Sequence, residues 1–578
     1  MLRTHLKFFI RVFLKDKFFS LLNILGLALG IAVSIILLLI LQHDLNYDKH
    51  YANHERIYRV GGHLQATGLE SRGARSAREL GDILTEEFPE VQALTRANNW
   101  NHVLVKYESN GDDIAYYEED VVRTDSTYFQ VFKHNFIKGD EKTCLNLLNS
   151  VVITESMVKR YFGDSDPINK SLLIAGELWK VTAVIEDLPE NTHLKFDILL
   201  SGLSKARQFA LGKDGQVISE AFWNPDVYLY VLMPGNYDPK NFHAKFPAIF
   251  DKYFKSFGDK VGGKYSPILH PLADIHFHSD LESDEPLGNI AYLYAFTAIG
   301  IFIMLLACIN YMNLSTAKSA KRATEIAMKK TLGSSRISLI FSFLGESVVL
   351  SCMSLVVAIL IVQIVVNLSS FNELIGRNLD VDFLNNPGLV FGSIVIALSI
   401  GLLSGLYPAF LLPSIPTIMA LKGSFKNRQS GHTLRKILIT AQFAISIFVV
   451  VCTLFMQDQI DYMRNQDLGF YKDNILILPI QDTLVQNQLA SIKSELLQNP
   501  RITAATTSYN VMGMGTGGNV MWAEGKNGMQ QQSFSIFAVG EDYFNTMGIT
   551  ILKGRDFQTG PNADVDNIFM CNEPAAKL

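Results

Sequence analysis

Lys321, Glu325 and Lys329 stand at i, i+4 and i+8, a spacing that stacks opposite charges along one face of a helix. Such a face offers recognition, not bond-making. Ala317, Ala320, Ala323 and Ala327 leave much of the remaining surface small, so a neighbouring surface can come close. Leu332-Gly333-Ser334 predicts the stop, with Gly333 suited to the positive φ of a helix C-cap. A short amphipathic helix of this kind fits a groove on a partner protein; it equally fits a basic loop resting on lipid headgroups. Residue types alone leave both readings open.

Other stretches invite stronger chemistry and support it less well. In His276-Phe277-His278-Ser279-Asp280 a strand would put both imidazoles on one face, as metal ligands can be, but no third ligand is evident beyond Asp274 or Asp280. Structural or surface histidines are the plainer reading. Gly258 to Lys264 nearly spells a phosphate loop, but Tyr265 stands where a compact Ser or Thr hydroxyl would hold magnesium. Gly513 to Gly518 contains Gly-x-Gly-x-x-Gly without an acidic residue at the expected distance, so it reads as a flexible loop. Glu346 is a lone ionisable residue inside an apolar run and serves either as a lock between helices or as an anchor near an interface. The chain has 5 cysteines, and Cys144 and Cys571 do not fall at matching positions of any repeat, so no disulfide framework is expected. No nucleophile–base constellation stands out, and no enzyme is expected.

The elements around these residues are set by composition. Of 578 residues, 48% are hydrophobic and 19% charged, and the mean hydropathy is +0.17. The charged share is below the roughly 25% of soluble domains. With 51 Lys and Arg against 56 Asp and Glu, the net charge is −5, which gives no polybasic signature for nucleic acid. The apolar residues cluster in five runs: 18–41, 291–311, 337–366, 389–412 and 437–456. A helix of about 20 residues spans the roughly 30 Å hydrocarbon core, so each run predicts a transmembrane helix. The first run is too long for a signal-peptide core and is followed by His43-Asp44-Leu45-Asn46-Tyr47 without a small-residue cleavage site.

Basic loops orient the spans. Arg3, Lys7, Arg11, Lys15 and Lys17 precede the first. Lys318, Lys321, Arg322, Lys329, Lys330 and Arg336 lie between the second and third, and Lys422, Lys426, Arg428, Arg435 and Lys436 between the fourth and fifth. Glu373, Arg377, Asp380 and Asp382 mark the intervening loop. The expectation is an α-helical membrane protein with five transmembrane helices, its N-terminus inside, and mixed α/β extracytoplasmic domains at 43–288 and from 457 onward. The inside segments 1–17, 313–336 and 413–436 are too short to fold a nucleotide-binding domain. Work done with ATP must therefore be delivered by another polypeptide.

The outside regions repeat each other. Tyr128 to Gly139 matches Tyr543 to Gly554 without a gap, and Thr154-Glu155 through Lys159 matches Asn572-Glu573 through Lys577. The second copy stops just past its matching lysine, so a fragment is expected, with three further helices completing the symmetry. In the first copy, alternation predicts strands at 179–185 and 226–232. Helices are predicted at 77–88, closed by Pro89, and at 155–161 with Thr154 as N-cap.

Thr324-Glu325-Ile326-Ala327-Met328-Lys329-Lys330-Thr331-Leu332-Gly333 resembles the coupling segment of MacB/FtsX-type ABC transporter permeases. Phe88-Pro89-Glu90-Val91, the run from Val151 to Glu155 with Phe162-Gly163, Val181 to Pro189, Ser404-Gly405-Leu406-Tyr407-Pro408-Ala409 and Leu421-Lys422-Gly423 fit the same family in the same order. Asn169 replaces a usual Gly and tolerates the same positive φ; Thr324 replaces a usual basic residue. The resemblance implies the duplicated form with two MacB-like periplasmic core domains, in the cell inner membrane. It implies a cytoplasmic ABC ATPase dimer docking on Lys321, Arg322, Glu325, Ile326, Met328, Lys329, Lys330, Leu332 and Gly333. ATP and magnesium would sit in that partner, with no cofactor, metal or catalytic residue in this chain. Membrane lipid and a periplasmic adaptor or envelope protein complete the implied partners. Export or extraction of a substrate is the leading reading. A non-transporting relay to an envelope enzyme, as in FtsX-like relatives, is the alternative, and a membrane-tethered binding protein is a third. The runs 18–41, 291–311, 389–412 and 437–456 contain no Asp, Glu, Lys, Arg or His, which leaves few candidates for an ion relay.

Overall fold

The computed structural model describes residues 17–66, 69–109, 112–202, 218–282, 284, 288–317, 319–379, 381–383, 386–414, 416, 429–480, 482–513, 518–525, 528–557 and 568–577. The chain divides into two compact units: a helical one, residues 1–46 with 289–466, and a mixed α/β one, 47–288 with 467–578.

In chain order, α1 (Lys17–Leu45) leads into the mixed unit. Its sheet runs β14 (Lys264–Pro271), β1 (Ile57–Ala66), β13 (Pro225–Leu232), β4 (Ala93–Trp100), β7 (Val121–Thr124) and β12 (Ile198–Ser201). It continues through β9 (Ser150–Thr154), β11 (Glu177–Ile185), β10 (Ser171–Ile174), β5 (Val103–Ser109) and β6 (Asp112–Glu118). Beside this path β2 (Leu69–Gly73) pairs with β1, β3 (Ser76–Ala77) with β13 and β8 (Phe136–Lys138) with β11. Every residue of β9 and β12 is buried, and β9 lies parallel to β11, as an apolar strand covered on both faces should. The alternation at 179–185 and 226–232 thus falls inside β11 and β13.

Helices cover the sheet. α2 (Leu80–Glu87) buries Leu80, Gly81, Ile83 and Leu84, and Phe88 beyond it stacks on Phe242 of α5 (Pro239–Ile249). α3 (Tyr128–Val131) buries Tyr128, Phe129 and Val131. α4 (Glu155–Phe162) begins where predicted, but the Thr154 hydroxyl does not cap it. The Asp187 carboxylate does so from across the fold, accepting from the Ser156 backbone N at 2.9 Å. Asn169 has φ +67, the value the Gly-to-Asn exchange requires. α6 (Lys255–Val261) and α7 (Leu272–His278) flank β14.

The repeat has structural counterparts. Ala97 pairs with Thr124 where β4 meets β7, and Ser508 bridges Val539. The β5–β6 hairpin corresponds to one formed by β15 (Gly518–Gly525) and β16 (Gly528–Ser535). Tyr543–Met547 is helical like α3, and Gly139 and Gly554 share φ values of +93 and +91.

The helical unit continues with α8 (Ile290–Ala317), α9 (Ser319–Thr331), α10 (Arg336–Leu368), α11 (Phe371–Ile375), α12 (Pro387–Leu411) and α13 (Gln429–Asn465). Among the described residues, five helices are long and apolar enough to cross a membrane: Ser20–Leu45, Ile290–Thr316, Arg336–Leu368, Pro387–Ser414 and Lys436–Asn465. In α1 a buried stripe of Ile24, Leu27, Ala28, Ile31 and Ile35 opposes exposed Leu21, Leu22, Leu25 and Leu29. A helix apolar on all sides suits lipid around its outer face. α1 packs on α8, α10 and α12. α10 and α12 approach closely: Ser351 Oγ donates to the Ala397 carbonyl at 2.6 Å, and a Cβ on Gly401 would lie 2.9 Å from Val348 Cα. Ala397, Gly401 and Gly405 recur every fourth residue, the small-residue spacing that lets spanning helices touch.

Candidate functional site

α9 is short because its end is written into its backbone. Gly333 takes φ +92; its N–H donates to the Lys330 carbonyl at 3.0 Å, and the Ser334 N–H to the Lys329 carbonyl at 3.0 Å. This is the paired-bond Schellman ending. Ser335 then caps α10, its hydroxyl accepting from the Ser338 N–H at 3.2 Å. The turn between two helices is thereby fixed at both ends.

The helix has distinct faces. Ile326 and Ala327 are buried, clustering with Leu339 of α10 and with Leu412, and Phe343 packs against them. Leu412 and Pro413 belong to the 3-10 turn Leu412–Ser414 that follows α12. Lys330 Nζ donates to the Pro413 carbonyl at 2.6 Å. On the flank Lys329 Nζ meets Glu325 Oε1 at 2.9 Å, both side chains part-exposed. Facing away are Thr324, Met328 at 50% exposure and Leu332 at 86%. Ile337 and Phe341, at the start of α10, are also exposed.

The structure therefore sorts the residues singled out from sequence. Glu325, Met328, Lys329 and Leu332 lie on accessible surface, and Gly333 makes the turn. Ile326 is buried against its own chain, and Lys330 is bonded to its own chain. Lys321 and Arg322 lie on the helical backbone of α9, with side chains outside the described residues. Leu339, Phe343, Leu412 and the Pro413 carbonyl were not anticipated. The readable signal was that Ile326 and Lys330 share a helical face one turn apart with the apolar Ala327 beside them.

The other candidates dissolve. His276 and His278 are on α7, a helix and not a strand, which places i and i+2 on different sides. His276 is buried, with its ring stacked on Tyr47 at 3.8 Å between centroids, and Asp280 pairs with Arg72. Among the described residues no group of three or more His, Cys, Asp or Glu is placed to hold a metal ion. Gly258 lies in α6, Gly262 is its left-handed C-cap, and Tyr265 is buried in β14 against Phe254, so no loop cradles a phosphate there. Residues 514–517 of the glycine-rich stretch lie outside the described residues. Glu346 sits part-buried in α10, one residue before Ser347, whose hydroxyl bonds that of Tyr311 at 3.0 Å.

Two family profiles match. Residues 20–248 match the MacB-like periplasmic core domain, and residues 297–417, which contain all of α9, match the FtsX-like permease C-terminal. No curated protein sequence matches the chain. Among solved structures, a permease-protein domain from Porphyromonas gingivalis is 18% identical, covering 42% of this chain and 98% of its own, with a TM-score of 0.32. The extracellular domain of the noncanonic ABC-type transporter YknZ from Gram-positive bacteria is 13% identical, with coverages of 37% and 99% and a TM-score of 0.24. The periplasmic region of MacB from Actinobacillus actinomycetemcomitans is also 13% identical, with coverages of 36% and 88% and a TM-score of 0.24. The two family profiles carry the assignment.

Proposed function

Because the chain belongs to the MacB/FtsX-type family of ABC transporter permeases, whose ATPase resides in a separate subunit, we propose that α9 is where that ATPase docks. ATP and magnesium are bound in the partner, and this chain transmits the partner's motion to its extracytoplasmic domain for export or extraction of a substrate. This orientation has the basic N-terminus, α9 and the basic segment 413–436 on the cytoplasmic side of the cell inner membrane, in line with their Lys and Arg excess. The nonspanning part of the mixed unit then lies outside, free to meet an adaptor or envelope protein, with lipid around α1, α8, α10, α12 and α13.

One observation carries this reading: a capped, part-exposed helix sits between two apolar helices with Glu325–Lys329 on its flank and Met328 and Leu332 facing away from its own unit. An exposed apolar pair beside a charged pair is what a partner's groove can bury and align. The cluster around Ile326 supports α9 from behind, so load on the outer face reaches α10 and α12.

The test is Glu325→Ala with Lys329→Ala in the full chain, reconstituted with its ATPase. We expect normal insertion and a loss of about tenfold in coupled ATP hydrolysis, the equivalent of about 1.4 kcal/mol at the docking surface. Coupling that survives the double substitution at full strength rules out this docking site.

A further inference from the structure

Lys330 belongs by residue type with the docking cations, but its geometry is that of an internal tie. Its Nζ reaches the Pro413 carbonyl at 2.6 Å. That oxygen lies in the turn just beyond α12, where helix-end carbonyls lack intrahelical partners and a cation is favoured. Around the bond, Ile326 is 4% exposed, Ala327 2%, Leu339 4% and Leu412 1%. These residues bring together α9, the first turn of α10 and the 3-10 turn that follows α12. Farther along, α10 and α12 are held by the Ser351–Ala397 bond and by the close approach at Gly401 and Gly405, where a Cβ would meet Val348 Cα at 2.9 Å and Ser347 Oγ at 2.7 Å respectively.

We propose that Lys330 is a positioning residue that locks α9 onto the end of α12, so that α9, α10 and α12 move as one lever. This deepens the reading of α9 as the ATPase-docking helix and rests on it. Movement imposed on Met328 and Leu332 passes to the α10–α12 pair through the Lys330–Pro413 tie and the apolar cluster behind it. Without the tie, α9 still presents its outer face but pivots on the cluster, and the partner's stroke is spent in that pivot. Lysine fits this role because a long apolar stem carries its ammonium to the Pro413 carbonyl, where a flexible point charge suffices.

The experiment places spin labels at Leu332 and Ser414, both exposed, through an unnatural amino acid, in the full chain in lipid nanodiscs. Dipolar broadening reports whether α9 and the turn after α12 keep one separation. We expect sharp, temperature-stable broadening in the parent, its loss or smearing in Lys330→Met, and its return in Lys330→Arg, which restores a donor. Broadening unchanged in Lys330→Met overturns the lock. A second readout uses the chain with its ATPase: Lys330→Met should leave capture of the ATPase unchanged while ATP-driven movement of the outer domain falls about tenfold. Lost capture would make Lys330 a direct contact and also overturn the lock. If the parent chain captures no ATPase, the docking reading fails, while the spin-label result still decides whether the tie exists.

Discussion

His134 shows how one residue in the mixed unit responds to its surroundings. Its ring lies 5.5 to 5.7 Å from the rings of Tyr51, Tyr128, Phe129 and Phe196, and Nε2 lies 3.3 Å from the Tyr128 hydroxyl. Burial pushes its imidazole down to about 3, with His50 adding a like-charge push. The folded state therefore takes up this proton later than the unfolded chain, whose value is 6.5. Stability is complete above about 6.5 and falls as pH drops from there toward 3, by at most about 1.4 kcal/mol per pH unit. All four tryptophans, Trp100, Trp179, Trp223 and Trp522, are in the mixed unit, so tryptophan fluorescence of the full chain follows its unfolding. His134→Phe should flatten the acid limb between pH 6 and pH 4. An acid limb of unchanged slope in that variant would show that other groups govern it.

At the scale of elements, the α10–α12 contact is the decisive joint of the helical unit. A Cβ on Gly401 meets Val348 Cα and, at 3.1 Å, Ser351 Cβ; backbone cannot yield there as a side-chain tip can. Gly401→Ala should destabilise by roughly 1–3 kcal/mol, read as earlier loss of helical circular dichroism on heating in nanodiscs. Gly345, on α10, has nothing within 4 Å of its added Cβ. Gly345→Ala should be neutral or stabilising by up to about 1 kcal/mol. Equal behaviour of the two variants would mean that the close approach is absent in the bilayer. The same joint gives the small side chains of Ser347, Ser351 and Ser354, all buried, a reason to be where they are.

At the scale of the molecule, the assignment of sides is what the proposed mechanism needs most. Leu332 and Leu178 are both well exposed, at 86% and 65%. In intact cells a membrane-impermeant maleimide should modify Leu178→Cys and leave Leu332→Cys untouched until the membrane is opened, with peptide mapping separating either signal from Cys571. Modification of Leu332→Cys from outside would invert the topology and remove the ATPase from reach of α9. The recurrence of the Ala97–Thr124 pairing as Ser508–Val539 and of the β5–β6 hairpin as β15–β16 ties the second copy to the first by backbone pairing as well as by residue type.

Features that depend on neighbours along the chain were readable from residue order. Apolar runs became helices because a stretch without charge has no other way to satisfy its backbone in hydrocarbon. Gly333 ended α9 because a positive φ at that point suits glycine. The family was legible because its motifs lie in local segments in a fixed order. Features that depend on distant partners emerged only once the chain was folded. A helical face can be read from spacing, but not what covers it, so Ile326 and Lys330 were grouped with surface residues until Leu412 and the Pro413 carbonyl came up behind them. The cap of α4 came from Asp187, far along the chain, and not from the adjacent Thr154. The two histidines lay on a helix because Leu272, Ile275 and His276 turn one face into the core just after Pro271, a period the alternating His-x-His pattern concealed.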